Sequence, residues 1–180
     1  MSSLINLDNF INTPLKTDPF PYLVLPGFVK ADALPAVNND FPHIDVPGSL
    51  PLGSLEYGAQ FKALIAELEG PEVRAAVEEK FNVDLSKHPT MVTARGLCRE
   101  KDGQIHTDSR SKIITVLLYL NPDNWESQGG RLRLLRSGDS LNDMVEEVDP
   151  QNGTIVCFLN TENAWHGHGS YSGPRRVIQL

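Results

Sequence analysis

The side chains most able to bind a metal in this chain are histidines and aspartates. Two sequences place a histidine two residues before an aspartate, namely His43-Ile44-Asp45 and His106-Thr107-Asp108. On a β-strand, residues two apart point to the same face, so such a pair can occupy two neighbouring positions on one ion. A second histidine from another strand would complete a two-histidine, one-carboxylate set, which is typical of non-haem Fe(II) sites with open positions.

The sequence context separates the two pairs. His43 lies between Pro42 and Pro47 in a stretch with no strand pattern, which predicts a surface loop. His106 follows the turn signal Asp102-Gly103 and precedes the apolar run Ile113–Leu120. We therefore expect His106 and Asp108 to be the metal ligands of this pattern.

The elements before about residue 88 have helical patterns. Phe61, Leu64, Ile65 and Leu68 form one apolar helix face, and a second short helix follows Gly70-Pro71. Weaker patterns predict a strand at Phe20–Leu25 and a helix at Ala31–Asn39. The range Phe41–Gly58 is rich in Pro, Gly and Ser and predicts an irregular loop.

After residue 88 the pattern is that of short strands separated by turn signals, one of them Asn121-Pro122-Asp123-Asn124. The predicted strands are Met91–Cys98, Lys112–Leu120, Arg131–Leu135, Met144–Val148, Thr154–Asn160, Ala164–His168 and Arg175–Leu180. Seven short, closely spaced strands favour a sandwich or barrel. We expect one α+β domain over residues 1–180, with a helical part at about 1–88 and a jelly-roll core at about 89–180.

Composition limits the function classes. The chain has 180 residues and a net charge of −7, so it gains no electrostatic affinity for nucleic acid, and we expect no nucleic-acid partner. We find no secretory signal, no stretch long enough to span a bilayer and no basic amphipathic helix, which predicts a cytoplasmic protein with no membrane partner. The two cysteines, Cys98 and Cys157, lie in apolar strands and are expected in the core.

The segment from Gly103 to Leu180 resembles the Fe(II)/2-oxoglutarate-dependent dioxygenases, in particular their prolyl-4-hydroxylase-like branch. The matching motifs are His106-x-Asp108, Thr115-Val-Leu-Leu-Tyr119-Leu-Asn, Trp125, Gly129-Gly130-x-Leu-x-Leu, Pro150-x-x-Gly153-x-x-x-x-Phe158, Trp165-His166-Gly167 and Arg175. Before residue 88 the likeness is looser and limited to Pro19–Leu25. The resemblance implies a double-stranded β-helix, or jelly roll, with the N-terminal helices packed on one face.

The resemblance also implies a ligand set. His106, Asp108 and His166 would hold Fe(II), and His168 is kept as the alternative to His166 because it lies two residues further on. The family places an arginine nine or ten residues after the distal histidine, where its planar fork binds the far carboxylate of 2-oxoglutarate. Arg175 and Arg176 both fit that spacing, and the motif register favours Arg175.

Three more residues are candidates for the same pocket. Tyr119 matches a family position whose hydroxyl contacts that carboxylate, and Thr115 shares its face by even spacing. Arg95, one strand earlier, either reaches the pocket or is a surface arginine. The implied cofactors are Fe(II), 2-oxoglutarate and O2 as cosubstrates, and ascorbate as an optional reductant.

The expected activity is hydroxylation of an unactivated C–H bond with release of succinate and CO2. The substrate stays open among a peptidyl proline, an amino acid, and a sugar or lipid intermediate, so the partner is a small molecule or a peptide; the sequence does not give the oligomeric state. The alternatives are a non-catalytic, cupin-like module that binds metal or sugar, and a zinc hydrolase with the same three ligands. Neither alternative gives a reason for Arg175.

Overall fold

The computed structural model of the chain describes residues 3–121 and 124–180. Among the described residues, four helices lie in the first half: α1 (Leu7–Asn12), α2 (Leu34–Asn39), α3 (Ala59–Leu68) and α4 (Pro71–Phe81). The strands are β1 (Tyr22–Leu25), β2 (Leu50–Pro51), β3 (Thr93–Cys98), β4 (Ile114–Tyr119), β5 (Leu132–Leu135), β6 (Met144–Val148), β7 (Ile155–Leu159), β8 (His166–His168) and β9 (Gly173–Gln179). A 3-10 helix, Leu52–Ser54, follows β2.

The strands form two antiparallel sheets. The large sheet has the order β1-β7-β4-β9-β3-β2, and the small sheet has the order β6-β5-β8. Neighbours in space are mostly distant in sequence, as in a jelly roll, where the chain alternates between the sheets. The register pairs Thr115 with Phe158 across β4 and β7, and Tyr119 with Val177 across β4 and β9.

Two apolar clusters divide the molecule into layers. One joins both sheets and includes Tyr119, Phe158 and Val177 from the large sheet with Leu132 and Leu134 from the small one. The other joins the helices to the opposite face of the large sheet, for example Phe61 and Leu64 with Leu118 and Ile178. Alternation along β4 and β9 supplies both faces, so the space between the sheets is where a buried site can form.

Most predicted elements are present with shifted ends. The strand predicted at Met144–Val148 has those bounds, whereas Met91–Cys98 begins at Thr93 and Arg175–Leu180 begins at Gly173. α3 presents the predicted apolar face, and all four of its predicted residues are buried. Its N-terminal cap, Gly58, has no side chain, and the Asp40 carboxylate instead accepts the Gln60 amide at 2.7 Å.

Some expectations were wrong or fall outside the description. The 41–58 range is not wholly irregular, because β2 pairs with β3 there and the 3-10 helix follows. α1 was not predicted; of its six residues only Phe10 is buried, so it has almost no periodic signal. The predicted turn at Pro122-Asp123 lies outside the described residues.

The fold is mostly antiparallel sheet with few helices, consistent with a jelly roll. Within residues 3–121 and 124–180, none of the helices has the length and apolar character needed to cross a bilayer.

Candidate metal centre and cosubstrate pocket

Three side chains from two segments of the chain come together beside β8. One ligand atom from each of His106, Asp108 and His166 lies within 4.8 Å of the other two. His106 and His166 also exchange two backbone hydrogen bonds of 3.0 Å, and their rings are 4.3 Å apart between centroids. Strand geometry around His106 predicted its pairing with Asp108, and the family resemblance implied His166. His106 instead lies in an isolated bridge to β8, outside any named strand.

Backbone carbonyls orient both imidazoles. The Nδ1 atom of His106 lies 2.8 Å from the Gln104 carbonyl oxygen, and Nδ1 of His166 lies 2.9 Å from that of Ala164. An Nδ1–H that donates to a carbonyl leaves Nε2 as the free lone pair, which is the usual arrangement around a ligated metal. Burial, followed by the nearby His106, lowers the pKa of His166 to about 4. His166 is therefore neutral at pH 7, the form that a metal requires.

Two side chains hold the Asp108 carboxylate. Thr115 donates its hydroxyl to Oδ2 at 2.5 Å, and the Lys112 ammonium lies 3.0 Å from Oδ1. Burial alone would raise the pKa of Asp108, but the hydrogen bonds from Thr115 and Lys112 outweigh burial and lower that pKa. The carboxylate is thus ionised and fixed in orientation beside the two histidines. In this structure the Thr115 hydroxyl serves Asp108, whereas the sequence placed it among the cosubstrate contacts.

A second polar group lies deeper between the sheets. Arg175 is buried; its Nε donates to the Gly130 carbonyl at 2.8 Å, and its Nη2 lies 3.4 Å from the Tyr119 hydroxyl. Burial raises the pKa of Tyr119, so its hydroxyl stays protonated and can donate. No carboxylate in residues 3–121 or 124–180 forms an ion pair with Arg175. A buried cation without a counter-ion is costly, and a ligand carboxylate would supply one.

The sequence model of the 2OG-Fe(II) oxygenase superfamily matches residues 95–180. The jelly-roll half of the chain belongs to the 2OG-Fe(II) oxygenase superfamily. The sequence-based prediction of a 2-oxoglutarate-dependent non-haem iron oxygenase is thereby confirmed at the level of the family. No curated protein sequence matched the chain.

Solved structures share the fold. A prolyl-4-hydroxylase from Pseudomonas putida is 21% identical with a TM-score of 0.57, over 96% of this chain and 87% of that chain. A 2OG-Fe(II) oxygenase family oxidoreductase from Burkholderia pseudomallei is 11% identical with a TM-score of 0.58, over 99% and 90%. A prolyl 4-hydroxylase from Phytophthora capsici is 16% identical with a TM-score of 0.62, over 99% and 65%. The resemblance to prolyl-4-hydroxylase-like oxygenases is thus confirmed at the level of fold.

Arg176, the alternative anchor in this oxygenase, lies on the other face of β9. Its guanidinium carbon is 5.0 Å from the centroid of the Phe41 ring, and its Nη1 is 3.4 Å from the Asn38 carbonyl oxygen. Adjacent residues on a strand face opposite sides, so Arg176 points away from the space that holds Arg175. The structure therefore favours Arg175 over Arg176 as the candidate cosubstrate contact, and the assignment stays a prediction.

His168, the alternative distal ligand, is buried but does not join the group formed by His106, Asp108 and His166. Its Nδ1 lies 2.9 Å from the Gly169 carbonyl oxygen and its Nε2 4.0 Å from the Cys98 sulfur. Burial, followed by the charge of Arg175, lowers the pKa of His168 to about 4. His168 thus lies toward Arg175 rather than in the candidate metal centre.

Sequence reasoning missed Lys112 as a partner of the metal site, although its position four residues after Asp108 was a usable signal. Other expectations hold: His43 is exposed in its loop, and Cys98 and Cys157 are both buried. Burial alone raises the pKa of the Cys157 thiol, which leaves it unreactive.

Proposed function

We propose that this oxygenase is a hydroxylase that acts on a C–H bond of a small-molecule or peptide substrate, with His106, Asp108 and His166 as the ligands of Fe(II). The donor set fits ferrous iron, since two neutral imidazoles and one ionised carboxylate leave open positions for cosubstrate and O2. The observation that carries the proposal is the combination of this group with a buried arginine, Arg175, that has no carboxylate partner among residues 3–121 and 124–180.

With iron, 2-oxoglutarate and O2 bound, the site would supply an oxidant that converts a substrate C–H to C–OH, while 2-oxoglutarate becomes succinate and CO2. The protein's own residues would bind and orient the metal and 2-oxoglutarate. Arg175 and Tyr119 would bind the far carboxylate of 2-oxoglutarate. Arg175 would use its terminal nitrogens, because its Nε already donates to the Gly130 carbonyl. Thr115 and Lys112 would keep Asp108 ionised and in place before the metal arrives.

The test is succinate formation by the purified protein supplied with Fe(II), 2-oxoglutarate, ascorbate and air. We expect succinate from the wild type, and neither iron binding nor succinate from His166→Ala. His168→Ala is the matched control and should still bind one iron. Turnover with Zn²⁺ and no binding of 2-oxoglutarate would contradict the proposal and favour a hydrolase. A substrate screen would then seek a product heavier by one oxygen atom.

A further inference from the structure

Arg95 is a second arginine on the inner face of the large sheet. The register pairs Arg95 with Val177, and Val177 pairs on its other side with Tyr119. Residues paired across neighbouring strands point to the same face, and Tyr119 and Val177 both belong to the cluster between the sheets. The preceding residue, Ala94, belongs instead to the cluster on the helical side. Arg95 therefore shares its face with the candidate cosubstrate pocket.

The Arg95 guanidinium uses only part of its hydrogen-bonding capacity. Its Nε donates to the Ser49 hydroxyl at 2.7 Å. Across the part of the chain that the structure describes, its two terminal nitrogens have no hydrogen-bond partner and it forms no ion pair. Asp102, on whose carboxyl the charge of Arg95 acts, is already paired with Arg99 at 2.9 Å. The charges of Arg175 and Arg95 both act on the Cys98 thiol, so the two guanidinium groups border the same region.

The accessibility of Arg95 differs from that of Arg175. Arg175 is buried, whereas Arg95 is partly buried and lies near the edge of the sheet, where the two-residue strand β2 pairs only with Thr93 and Ala94. Arg95 is therefore more accessible to a ligand from solvent than Arg175 is. In the proposed function, 2-oxoglutarate uses one carboxylate at the metal and the other at Arg175. Arg95 is left without a role in holding the cosubstrate.

We infer that Arg95 selects the primary substrate by binding a carboxylate on it, so the substrate class is a carboxylic acid such as an amino-acid derivative or a peptide with a free C-terminus. This inference rests on the proposed function. A guanidinium with two free terminal nitrogens offers the planar pair of donors that a carboxylate accepts. The Ser49 hydroxyl bonds only Nε of Arg95, so this contact leaves the two terminal nitrogens for the ligand.

The test compares acids with uncharged partners of the same shape. The protein is loaded with Mn(II) and 2-oxoglutarate, and binding of N-acetyl-L-proline and N-acetyl-L-leucine, and of their amides, is measured from the relaxation of ligand protons by the metal. We expect the wild type to bind the acids about tenfold more tightly than the amides, the effect of one charge-assisted contact. Arg95→Gln should reduce that preference below about twofold.

Two control variants separate the effect of the Arg95 charge from effects on the surrounding structure. Ser49→Ala keeps the guanidinium and should keep the preference for acids, and so should Arg136→Gln, which removes a charge paired with Asp143 elsewhere. Equal binding of acids and amides by the wild type, no binding of either, or an unchanged preference in Arg95→Gln would overturn the inference. A weaker affinity for 2-oxoglutarate in Arg95→Gln would also overturn it, since Arg95 would then be a cosubstrate ligand. A wild type that binds no 2-oxoglutarate would instead refute the proposed function.

Discussion

Arg175 and Arg176 are adjacent in sequence but lie on opposite faces of β9. Spacing from the distal histidine allowed either one, and only the motif register favoured Arg175. The structure separates them because Val177 and Tyr119 pair across the strands, which fixes the face on which each arginine lies. Which of two adjacent residues faces the site depends on how the strands pair. A single sequence does not contain that information. The three candidate ligands, by contrast, were predicted from the motif order of the family resemblance, and the structure brings their side chains together.

At this scale we predict that Arg175→Gln raises the 2-oxoglutarate concentration needed for half-maximal succinate formation by at least about tenfold, because a charge-assisted hydrogen bond is lost in a buried site. Iron binding should persist. Arg176→Gln is the matched control and should change the requirement by less than about twofold. The measurement is a 2-oxoglutarate titration of initial rates, and a larger effect for Arg176 than for Arg175 would contradict the assignment.

At the scale of elements, strand positions were predictable where a short apolar run is nearly continuous, as in β4 and β7, both of which have partners on two sides. α1 and β2 were not predictable, since one buries a single side chain and the other has two residues. The conformation of the segment that carries His106 and Asp108 was also predicted wrongly, because it is not a regular strand. Its geometry comes from pairing with β8 through Gly103 and His106 rather than from its own strand.

The pairing of this segment with β8 can be tested by a substitution at Gly103. Its φ is +82°, and an added Cβ would lie 2.2 Å from the His168 ring, so we predict that Gly103→Ala displaces the segment from β8. Fe(II) affinity should fall by about tenfold or more, as when outer contacts of a metal site are lost. Gly27→Ala is the control: φ is also positive at +68°, but nothing lies within 4 Å, so it should cost only ~1 kcal/mol of stability. Equal iron affinity in both variants would contradict the prediction.

For the whole molecule, one apolar cluster contains buried residues from the helices and from the large sheet, including Phe61, Val77, Leu118 and Ile178. The expectation of a single domain over residues 1–180 stays a prediction. Shared burial of this kind predicts that the helical part cannot unfold while the sheets stay intact.

Both tryptophans, Trp125 and Trp165, lie in the jelly-roll half, whereas the longest helices, α3 and α4, lie in the other half. Tryptophan fluorescence therefore reports on the jelly-roll half, whereas the helical signal in far-ultraviolet circular dichroism reports mainly on the other half. We predict that the two signals give the same midpoint in urea, since the halves unfold together. Two separated midpoints would show two independent units.

The central claim is that His106, Asp108 and His166 hold one iron to which 2-oxoglutarate binds. The most direct measurement is the visible absorption of the anaerobic protein titrated with Fe(II) and then with 2-oxoglutarate. We predict a weak band that requires both additions, saturates at one 2-oxoglutarate per chain and is absent in Asp108→Ala. A wild-type protein that binds iron but develops no such band at any 2-oxoglutarate concentration would contradict the account.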